Sequence, residues 1–495
     1  MLVTDELLFQ YKRCHRRAFL NIYEENNQKQ EEKDFIVKLR QERESHSWQV
    51  LQTYNLPYHQ PKLLVEDSEN NFQVASMTEN LMRQGVDCIY QGVVIYTHYG
   101  ENQEKIVFET SPSLLIKQNI PSLLGDWSYI PVNTHLGKSM KPEYKLISAF
   151  QGEVLSLFQG VNLSESQIFL RCIDKPYYLN LKIWIPHCRE LIREFIFMVS
   201  GKNEPDVFIS RQRCSFCQWF ESCHSLAKSQ QHLSLIPGIT PKKYDSLMAE
   251  GINNLASLCE ADLSELIRLF GNEIGNNIHQ QALSLYHSQA IFRHPIITSI
   301  PTNSIELYFD IEAQNFDYLL GVLLVNNETK EKKYYTFLAE NIEQEKEIWL
   351  SFLELVNQYP DAPIFHYSEY ERETVKRLAY VYQTSSADVQ PLLKRLFDLH
   401  KFVTNSFFLP VENYSLKSVA NWLGFRWRDP VTGNLTSGYH TIGGDQCVFW
   451  YDQWLKTFDR ETALRDRTWL NYILIYNEDD CLGTYQLKKW LSTQI

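Results

Sequence analysis

The chain has 495 residues, a formal net charge of −12, 44% hydrophobic residues and 22% charged residues. This length suggests roughly two to four domains of ordinary folded composition, and the acidic balance argues against a protein that coats nucleic acid non-specifically. No uncharged apolar run reaches about 18 residues and the first residues lack the apolar stretch of a signal peptide, which predicts a cytoplasmic protein with no membrane partner.

The first region, residues 1–230, mixes helical and strand patterns. Helical periodicity covers residues 34–54 and 144–160, and strand patterns occur at residues 85–96, 112–118 and 127–138. This alternation predicts a mixed α/β domain.

Residues 231–292 change character and contain short helical segments joined by glycine-containing turns. The loop Pro237–Thr240 precedes a helix, and the unpaired N–H groups of a helix start suit a phosphate. Two interpretations stay open here: a helix-hairpin-helix contact with the DNA backbone, and a helical linker that packs two domains together.

Residues 293–495 again alternate strands and helices, and they begin with the acidic strand "SIELYFDIEA". Two further strand patterns follow, then a helix, a short strand and a second helix. The region closes on a long helix over "TWLNYILIYNEDDCLGTYQLKKWL", with a possible hinge near Asn477.

The stretch "RQRCSFCQWFESCHSLA" holds three cysteines with the spacing Cys214-x2-Cys217-x5-Cys223. Ten cysteines are few for 495 residues, so metal binding is favoured over a disulfide scaffold. Three thiolates need a fourth ligand to complete a tetrahedral site. The adjacent His224 would make a Cys3His zinc site, and the distant Cys14 is the other candidate.

One cysteine near the start of the chain, followed by three after an α/β domain, resembles the iron–sulfur box of RecB-like nucleases. The resemblance implies a restriction-endonuclease-like (RecB) fold for residues 1–230 and a [4Fe-4S] cluster that ties the two ends of this domain together. It implies that the cluster ligands are Cys14, Cys214, Cys217 and Cys223, with zinc as the alternative.

RecB-like nucleases of the PD-(D/E)xK class need an aspartate at a strand end, and an acid and a lysine two residues apart on the next strand. The matching positions in this sequence are Ser113, Asn133 and His135. These side chains form a poor Mg²⁺ site, since hard cations prefer carboxylate oxygens. We therefore expect a RecB-like fold without catalysis, retained for DNA binding or architecture; the alternative is a site rebuilt from displaced acids, Glu109 or Asp126.

The last 200 residues contain a second set of acids. Asp310 and Glu312 lie two apart on a predicted strand, so their carboxylates share one face. Tyr476 and Asp480 lie four apart on a predicted helix and also share a face. Glu371 begins a helix that follows a strand. Each acid alone is also compatible with a solvated strand end or turn.

Together these positions resemble the DnaQ-like 3′–5′ exonucleases, which have the RNase H fold. That family has Asp-x-Glu on its first strand, a second acidic element, and Tyr-x3-Asp on a late helix. The resemblance implies that Asp310, Glu312, Glu371 and Asp480 hold two Mg²⁺ or Mn²⁺ ions, and that Tyr476 orients the attacking water. Glu371 departs from the family pattern, because aspartate is usual at its position.

Four further residues are candidates for a supporting role. Asp398 is an alternative or additional acid. Tyr367 and Tyr370 are candidates to stack on bases, and Lys417 is a candidate to contact phosphate. A lysine on the solvated face of a helix is the other interpretation of Lys417.

The order of these regions resembles a bacterial family of RecB-like nucleases that joins an iron–sulfur RecB-like half to an RNase H-like half. It implies a multidomain α/β protein with a RecB-like domain (1–230), a helix-hairpin-helix-like linker (231–292) and an RNase H-like domain (293–495). The implied function is a metal-dependent nuclease, a 3′–5′ exonuclease on single-stranded ends, with DNA a better partner than RNA. The alternative is a non-catalytic nucleic-acid-binding or scaffold protein with two relic folds.

Overall fold

The computed structural model describes residues 1–61, 71–99, 105–171, 175–294, 299–436, 443–458 and 466–494. The chain divides into two compact units, Met1–His224 and Ser225–Ile495, each with hydrophobic clusters of its own. Among the described residues, no helix combines the length and the apolar character needed to span a membrane.

The first unit contains nine strands and eight helices within its described part. The strands are β1 (Leu2–Thr4), β2 (Tyr58–His59), β3 (Cys88–Tyr90), β4 (Val94–Tyr99), β5 (Lys105–Thr110), β6 (Leu114–Gln118), β7 (Ser128–His135), β8 (Glu165–Leu170) and β9 (Tyr177–Asn180). The helices are α1 (Asp5–Arg13), α2 (His15–Tyr23), α3 (Asp34–Tyr54), α4 (Asn71–Gln84), α5 (Pro142–Gln159), α6 (Leu181–Gly201), α7 (Arg211–Cys214) and α8 (Phe220–Ser229).

These strands form a six-stranded sheet in the order β2-β3-β6-β7-β8-β9 and a three-stranded sheet in the order β1-β5-β4. Strand β7 is buried along almost its whole length, and α5 packs against it. The prediction of a single strand over residues 85–96 is wrong. The chain turns at Gln91, whose φ of 54° is left-handed, and this turn separates β3 from β4.

The second unit contains seven strands and eleven helices within its described part. The strands are β10 (Ile291–Phe292), β11 (Ile305–Ala313), β12 (Asp317–Asn326), β13 (Lys332–Leu338), β14 (Ile364–His366), β15 (Leu396–Asp398) and β16 (Phe407–Phe408). The helices are α9 (Pro241–Ala249), α10 (Leu255–Glu260), α11 (Leu263–Phe270), α12 (Asn272–His287), α13 (Glu345–Gln358), α14 (Glu369–Val381), α15 (Ser386–Arg395), α16 (Leu399–Ser406), α17 (Leu416–Trp422), α18 (Gly444–Lys456) and α19 (Thr468–Gln494).

Helices α9–α12 surround a small apolar cluster that includes Leu247, Leu266 and Ile278. Gly238 has a φ of 91° in the turn before α9, and Thr240 caps this helix by accepting the Lys243 N–H. The short helices and glycine turns therefore match the sequence pattern, and a contact with the DNA backbone stays a prediction.

A five-stranded sheet in the order β13-β12-β11-β14-β15 forms the centre of this unit. Strands β11, β12 and β13 are antiparallel neighbours, whereas β14 and β15 run parallel to β11. Alternation along β11 places Leu307 and Phe309 in a cluster with α13, and Tyr308 in a cluster with α19. Asp310 and Glu312 share the Tyr308 side, so the two acids face α19.

Helix α19 lies against β11 in the opposite direction. Lys488 pairs with Glu306 near one end of the strand, and Tyr485 contacts Tyr308 at 5.3 Å between ring centres. The helix continues without a break through Asn477, so the hinge expected there is absent from the described helix. Its earlier turns thereby reach the acidic end of β11.

Candidate active site

Three carboxylates from two elements meet on the α19 side of the sheet. Asp310 and Glu312 come from β11 and Asp480 comes from α19, and one oxygen of each lies within 4.8 Å of the others. Asp310, Glu312 and Asp480 were each predicted as site residues, and the structure places them together.

The side chain of Asn477 joins the strand to the helix at this point. Its Nδ2 donates to Asp310 Oδ2 at 2.6 Å, and its Oδ1 accepts the hydroxyl of Tyr334 at 2.6 Å. Asn477 precedes Asp480 by three residues, so both lie on one helix face. That spacing is a signal for Asn477 that the sequence prediction did not use.

Gly321 makes room for this contact. It lies opposite Asp310 in the antiparallel register of β11 and β12. A Cβ atom at position 321 would lie 1.7 Å from Asn477 Oδ1, so any side chain there would displace the amide.

The electrostatics of the three acids oppose their ionisation. Burial, followed by repulsion from Asp480 and the other acids, raises the pKa of Asp310 well above its usual range. Burial and the charge of Asp480 raise the pKa of Glu312 to about 8, and burial also raises the pKa of Asp480. A divalent cation would reverse these effects, and carboxylate oxygens are the donors that Mg²⁺ and Mn²⁺ prefer. The three residues therefore fit such an ion.

Tyr476 and Asp480 lie on the same face of α19, and the Tyr476 side chain hydrogen-bonds to Asp480. The indole of Trp427 donates to Asp480 Oδ1 at 2.7 Å. Asp479, the neighbour of Asp480 on the helix, turns away and accepts two hydrogen bonds from Arg428. Trp427 was not predicted, because nothing in its local sequence indicates a partner 53 residues away.

Lys417 is a correction to the sequence analysis. Its Nζ is buried, has no hydrogen-bond partner among the described residues, and lies 4.5 Å from the centre of the Tyr476 ring. Burial lowers the pKa of Lys417, although Asp480 acts in the opposite direction. The interpretation as a solvated helix lysine is therefore wrong: this ammonium group lies beside the acids.

Glu371 lies close to the three acids without joining them. Its charge contributes to the raised pKa of Asp310, yet within the described part of the chain the 4.8 Å group contains only Asp310, Glu312 and Asp480. Glu371 accepts a hydrogen bond from Ser368 Oγ at 2.8 Å.

The remaining C-terminal candidates make internal contacts. Asp398 Oδ1 accepts the Lys401 N–H at the start of α16, and Asp398 stays outside the group of three acids. The hydroxyls of Tyr367 and Tyr370 donate to Tyr414 O and to Asp317 Oδ1.

In the first unit, none of the positions that match nuclease acids carries a carboxylate. Ser113 Oγ and Thr134 Oγ1 are 2.9 Å apart, and Asn133 donates to Gln151 at 2.5 Å. The ring of His135 stacks on another aromatic ring, Tyr144, at 3.8 Å.

The alternative acids for this region, Glu109 and Asp126, have no hydrogen bond to Ser113, Asn133 or His135 in the described part of the chain. Asp126 is exposed, and Glu109 accepts a hydrogen bond from Asn71. A different acid is present: Gln151 donates to Asp5, and burial raises the pKa of Asp5 to about 6.

The four cysteines of the predicted metal box lie near one another. Burial, together with the thiols of Cys14, Cys217 and Cys223, raises the pKa of Cys214 to about 11. Among the described residues, no three of these sulfurs lie within 4.8 Å of one another. Tetrahedral zinc with Zn–S bonds of about 2.3 Å would bring its ligand sulfurs to about 3.8 Å from one another, inside that limit.

Each of the four sulfurs receives an N–H group or a guanidinium, which suits a thiolate. The donors are the Arg17 N–H to Cys14, the Ser210 N–H to Cys214, the Trp219 N–H to Cys217 and the Arg16 side chain to Cys223. The ring of His224 stacks on Phe220 at 5.1 Å. Consecutive helical residues do not face each other, so His224 points away from the direction of Cys223.

Residues 307–492 match the family model RNase_H_2 of the RNase H superfamily. The match includes all three acids and nearly all of the five-stranded sheet and α19. No curated protein matches the chain. The second unit therefore contains an RNase H-like domain, which confirms the predicted RNase H fold for this part of the chain and is consistent with a nuclease that binds nucleic acid.

Proposed function

We propose that the RNase H-like domain is a metal-dependent 3′–5′ exonuclease that hydrolyses phosphodiester bonds at single-stranded DNA ends. The observation that carries the proposal is the meeting of Asp310, Glu312 and Asp480 within 4.8 Å. The spacing of Tyr476 and Asp480, which resembles DnaQ-like exonucleases, supports the 3′–5′ direction.

Asp310, Glu312 and Asp480 would hold the divalent ions, and Glu371, whose charge acts on Asp310, would be a further ligand. Bound Mg²⁺ or Mn²⁺ supplies positive charge that activates a water and stabilises the leaving oxygen. The raised pKa of Glu312, about 8, means that the metal-free site retains protons that a cation must displace.

The other residues of the site hold these carboxylates in place. Asn477 binds one oxygen of Asp310, and Trp427 binds one oxygen of Asp480. The hydroxyl of Tyr476, which contacts Asp480, is positioned to orient a water for attack. The buried charge of Lys417 offsets part of the negative charge of the acids and lowers the pKa of Asp480.

The first unit supports a different role. Its neutral Ser113, Asn133 and His135 argue that a RecB-like fold there no longer cleaves DNA, and that it serves in nucleic-acid binding or architecture. A wholly non-catalytic scaffold is the second candidate for the chain, and the acid group of the second unit argues against it.

We further propose that Cys14, Cys214, Cys217 and Cys223 hold a [4Fe-4S] cluster. The N–H donors around the sulfurs suit thiolate ligands, and the resemblance to the iron–sulfur box favours a cluster over a single zinc ion. Anaerobically prepared protein should contain iron and absorb visible light, and Cys217→Ser should remove both. The matched control Cys259→Ser, in the second unit, should retain them. Zinc without visible absorption would contradict the cluster, since Zn²⁺ is colourless with a full d shell.

The nuclease proposal is tested with anaerobically prepared full-length protein, Mn²⁺ and 3′-labelled single strands. Asp310→Asn should reduce digestion by more than about a hundredfold, because it removes a proposed metal ligand. Glu478→Gln makes a comparable change outside the acid group and should retain activity. Parallel assays on 5′-labelled DNA and on RNA test the direction and the substrate. Equal digestion by the wild type and Asp310→Asn would overturn the proposal.

A further inference from the structure

A cavity of about 660 Å³ lies at the carboxyl ends of the parallel strands β14 and β15. Its lining includes His366, Asp398, Phe397, Phe402 and Lys401. Ligands of α/β proteins commonly bind where parallel strands end, and the volume is typical of a small-molecule site.

The first unusual feature of this cavity is the imidazole of His366, which is fully buried. Its Nδ1 lies 2.7 Å from the carbonyl oxygen of Ser368, which can only accept, so Nδ1 carries the hydrogen. In the neutral ring, Nε2 is then an acceptor. Nε2 is buried and has no partner among the described residues.

The second feature is the carboxylate of Asp398, which lies beside His366 in the parallel register of the two strands. Its Oδ1 is used, because it accepts the Lys401 N–H at 3.1 Å. Its Oδ2 is buried and also has no partner within the described part of the chain. Two neighbouring strands therefore each present a buried acceptor, an arrangement that is costly unless a ligand brings donors.

We propose that this cavity binds a nucleobase that carries an exocyclic amino group, with His366 Nε2 and Asp398 Oδ2 accepting its N–H groups. Guanine offers N1–H and N2–H2 side by side, and adenine and cytosine offer one amino group. Thymine and uracil present carbonyl oxygens on both sides of a single N–H, and these would face the acceptors. Phe397 and Phe402 supply apolar surface for the base, and the exposed Lys401 suits a phosphate.

The base has two sources: a nucleotide of the bound strand, or a free nucleotide. The cavity adjoins the candidate active site, since His366 Nδ1 is 3.5 Å from Glu371 Oε2. The assignment to the strand rests on the proposed nuclease function, whereas recognition of the base itself does not.

Calorimetry of the full-length protein at pH 8 with EDTA tests base recognition without hydrolysis. We expect dGMP to bind about tenfold more tightly than dTMP, as two well-placed hydrogen bonds would give. In Asp398→Asn, the amide oxygen must stay at the Oδ1 position to accept the Lys401 N–H, so the NH2 group replaces Oδ2. The helix cap is kept, and the variant should lose the preference for dGMP and bind dTMP more tightly than the wild type does.

The matched control is Glu373→Gln, which changes another acid that lines the cavity and is largely exposed. It should keep the tenfold preference. Equal affinities of the wild type for dGMP and dTMP, or an unchanged preference in Asp398→Asn, would overturn the proposal.

A second experiment tests whether the base belongs to a bound strand. It measures binding of oligo(dA), oligo(dC) and oligo(dT) to Asp310→Asn protein by fluorescence anisotropy. A preference for oligo(dA) and oligo(dC) that disappears in the added Asp398→Asn variant supports a base of the strand as the occupant. A preference seen only with mononucleotides supports a free nucleotide. Failure of the nuclease proposal would appear in the digestion assay and would leave the calorimetric result unchanged.

Discussion

The amide of Asn477 donates a 2.6 Å hydrogen bond to Asp310 and so fixes one oxygen of that carboxylate from the facing helix. The two residues are 167 positions apart in the chain. The geometry of the proposed site depends on how α19 is aligned along β11, and the hydrogen bond between Asn477 and Asp310 marks that alignment.

Asn477→Ala should reduce nuclease activity by about 10–100-fold and raise the Mn²⁺ concentration needed for half-maximal rate, because residues that orient metal ligands carry effects of this size. Manganese titrations of the rate measure both quantities. Asn471→Ala changes an exposed residue of the same helix and serves as the control. An unchanged manganese requirement in Asn477→Ala would show that Asp310 needs no such orientation.

Gly321→Ala should lower the free energy of unfolding of the second unit by about 1–3 kcal/mol, the usual cost of overpacking. The added methyl would lie 1.7 Å from Asn477 Oδ1, so one of the two must move. Urea unfolding measures the loss. Gly444→Ala has no atom within 4 Å of its new methyl and is the control.

Removing Asn477 as well tests whether this one contact causes the loss. The Gly321→Ala/Asn477→Ala double variant should lose less stability than the sum of the single variants, because the clash disappears with the amide. If the losses of unfolding free energy in the single variants simply added up in the double variant, the clash with Asn477 would not be their cause.

Stability in the absence of divalent ions should depend on pH through Glu312. Its pKa is near 4.5 in the unfolded chain and about 8 in the folded state, so the folded state binds the extra proton between these values. Stability therefore falls as pH rises through this interval and is lowest above pH 8.

Thermal unfolding with EDTA and with Mg²⁺ checks the sign. Magnesium should raise Tm more at pH 8.5 than at pH 6, since it binds the ionised acids of the folded state. Glu312→Gln should flatten the pH dependence of the EDTA samples. A Tm that rises with pH in EDTA would contradict the assigned direction.

Lys417→Met should shift the acidic limb of the pH–rate profile to higher pH and reduce activity at pH 7 by about tenfold. The positive charge of Lys417 lowers the pKa of Asp480, so without it Asp480 holds its proton to higher pH. Rates from pH 5.5 to 9 measure the shift. Lys346→Met removes an exposed lysine and should leave the profile in place; an identical profile for Lys417→Met would remove this role.

The acids of the site could be predicted because local periodicity decides their directions. Asp310 and Glu312 are two residues apart on a strand and therefore share a face. Tyr476 and Asp480 are four residues apart on a helix and share a face for the same kind of reason. The confirmed RNase H-like match lies over the same residues. Their roles as metal ligands and as a water-orienting group stay predictions.

The residues that support these acids could not be found in this way. Gly321 matters because of its register with Asp310, and Trp427 matters because its indole reaches Asp480 from another part of the chain. Lys417 follows an ordinary helix pattern, and only packing shows that its Nζ is buried. Such relations belong to the tertiary arrangement, which local spacing does not encode.

The pairing of β11 with α19 also sets the moment at which the centre can form. Synthesis proceeds from the N-terminus, so Asp310 and Glu312 of β11 emerge from the ribosome long before the helix that carries Asn477 and Asp480 is made. Until α19 emerges, the nascent polypeptide lacks Asp480, and the group of three acids stays incomplete. A half-made chain should therefore lack nuclease activity until its last helix has been synthesised and has packed.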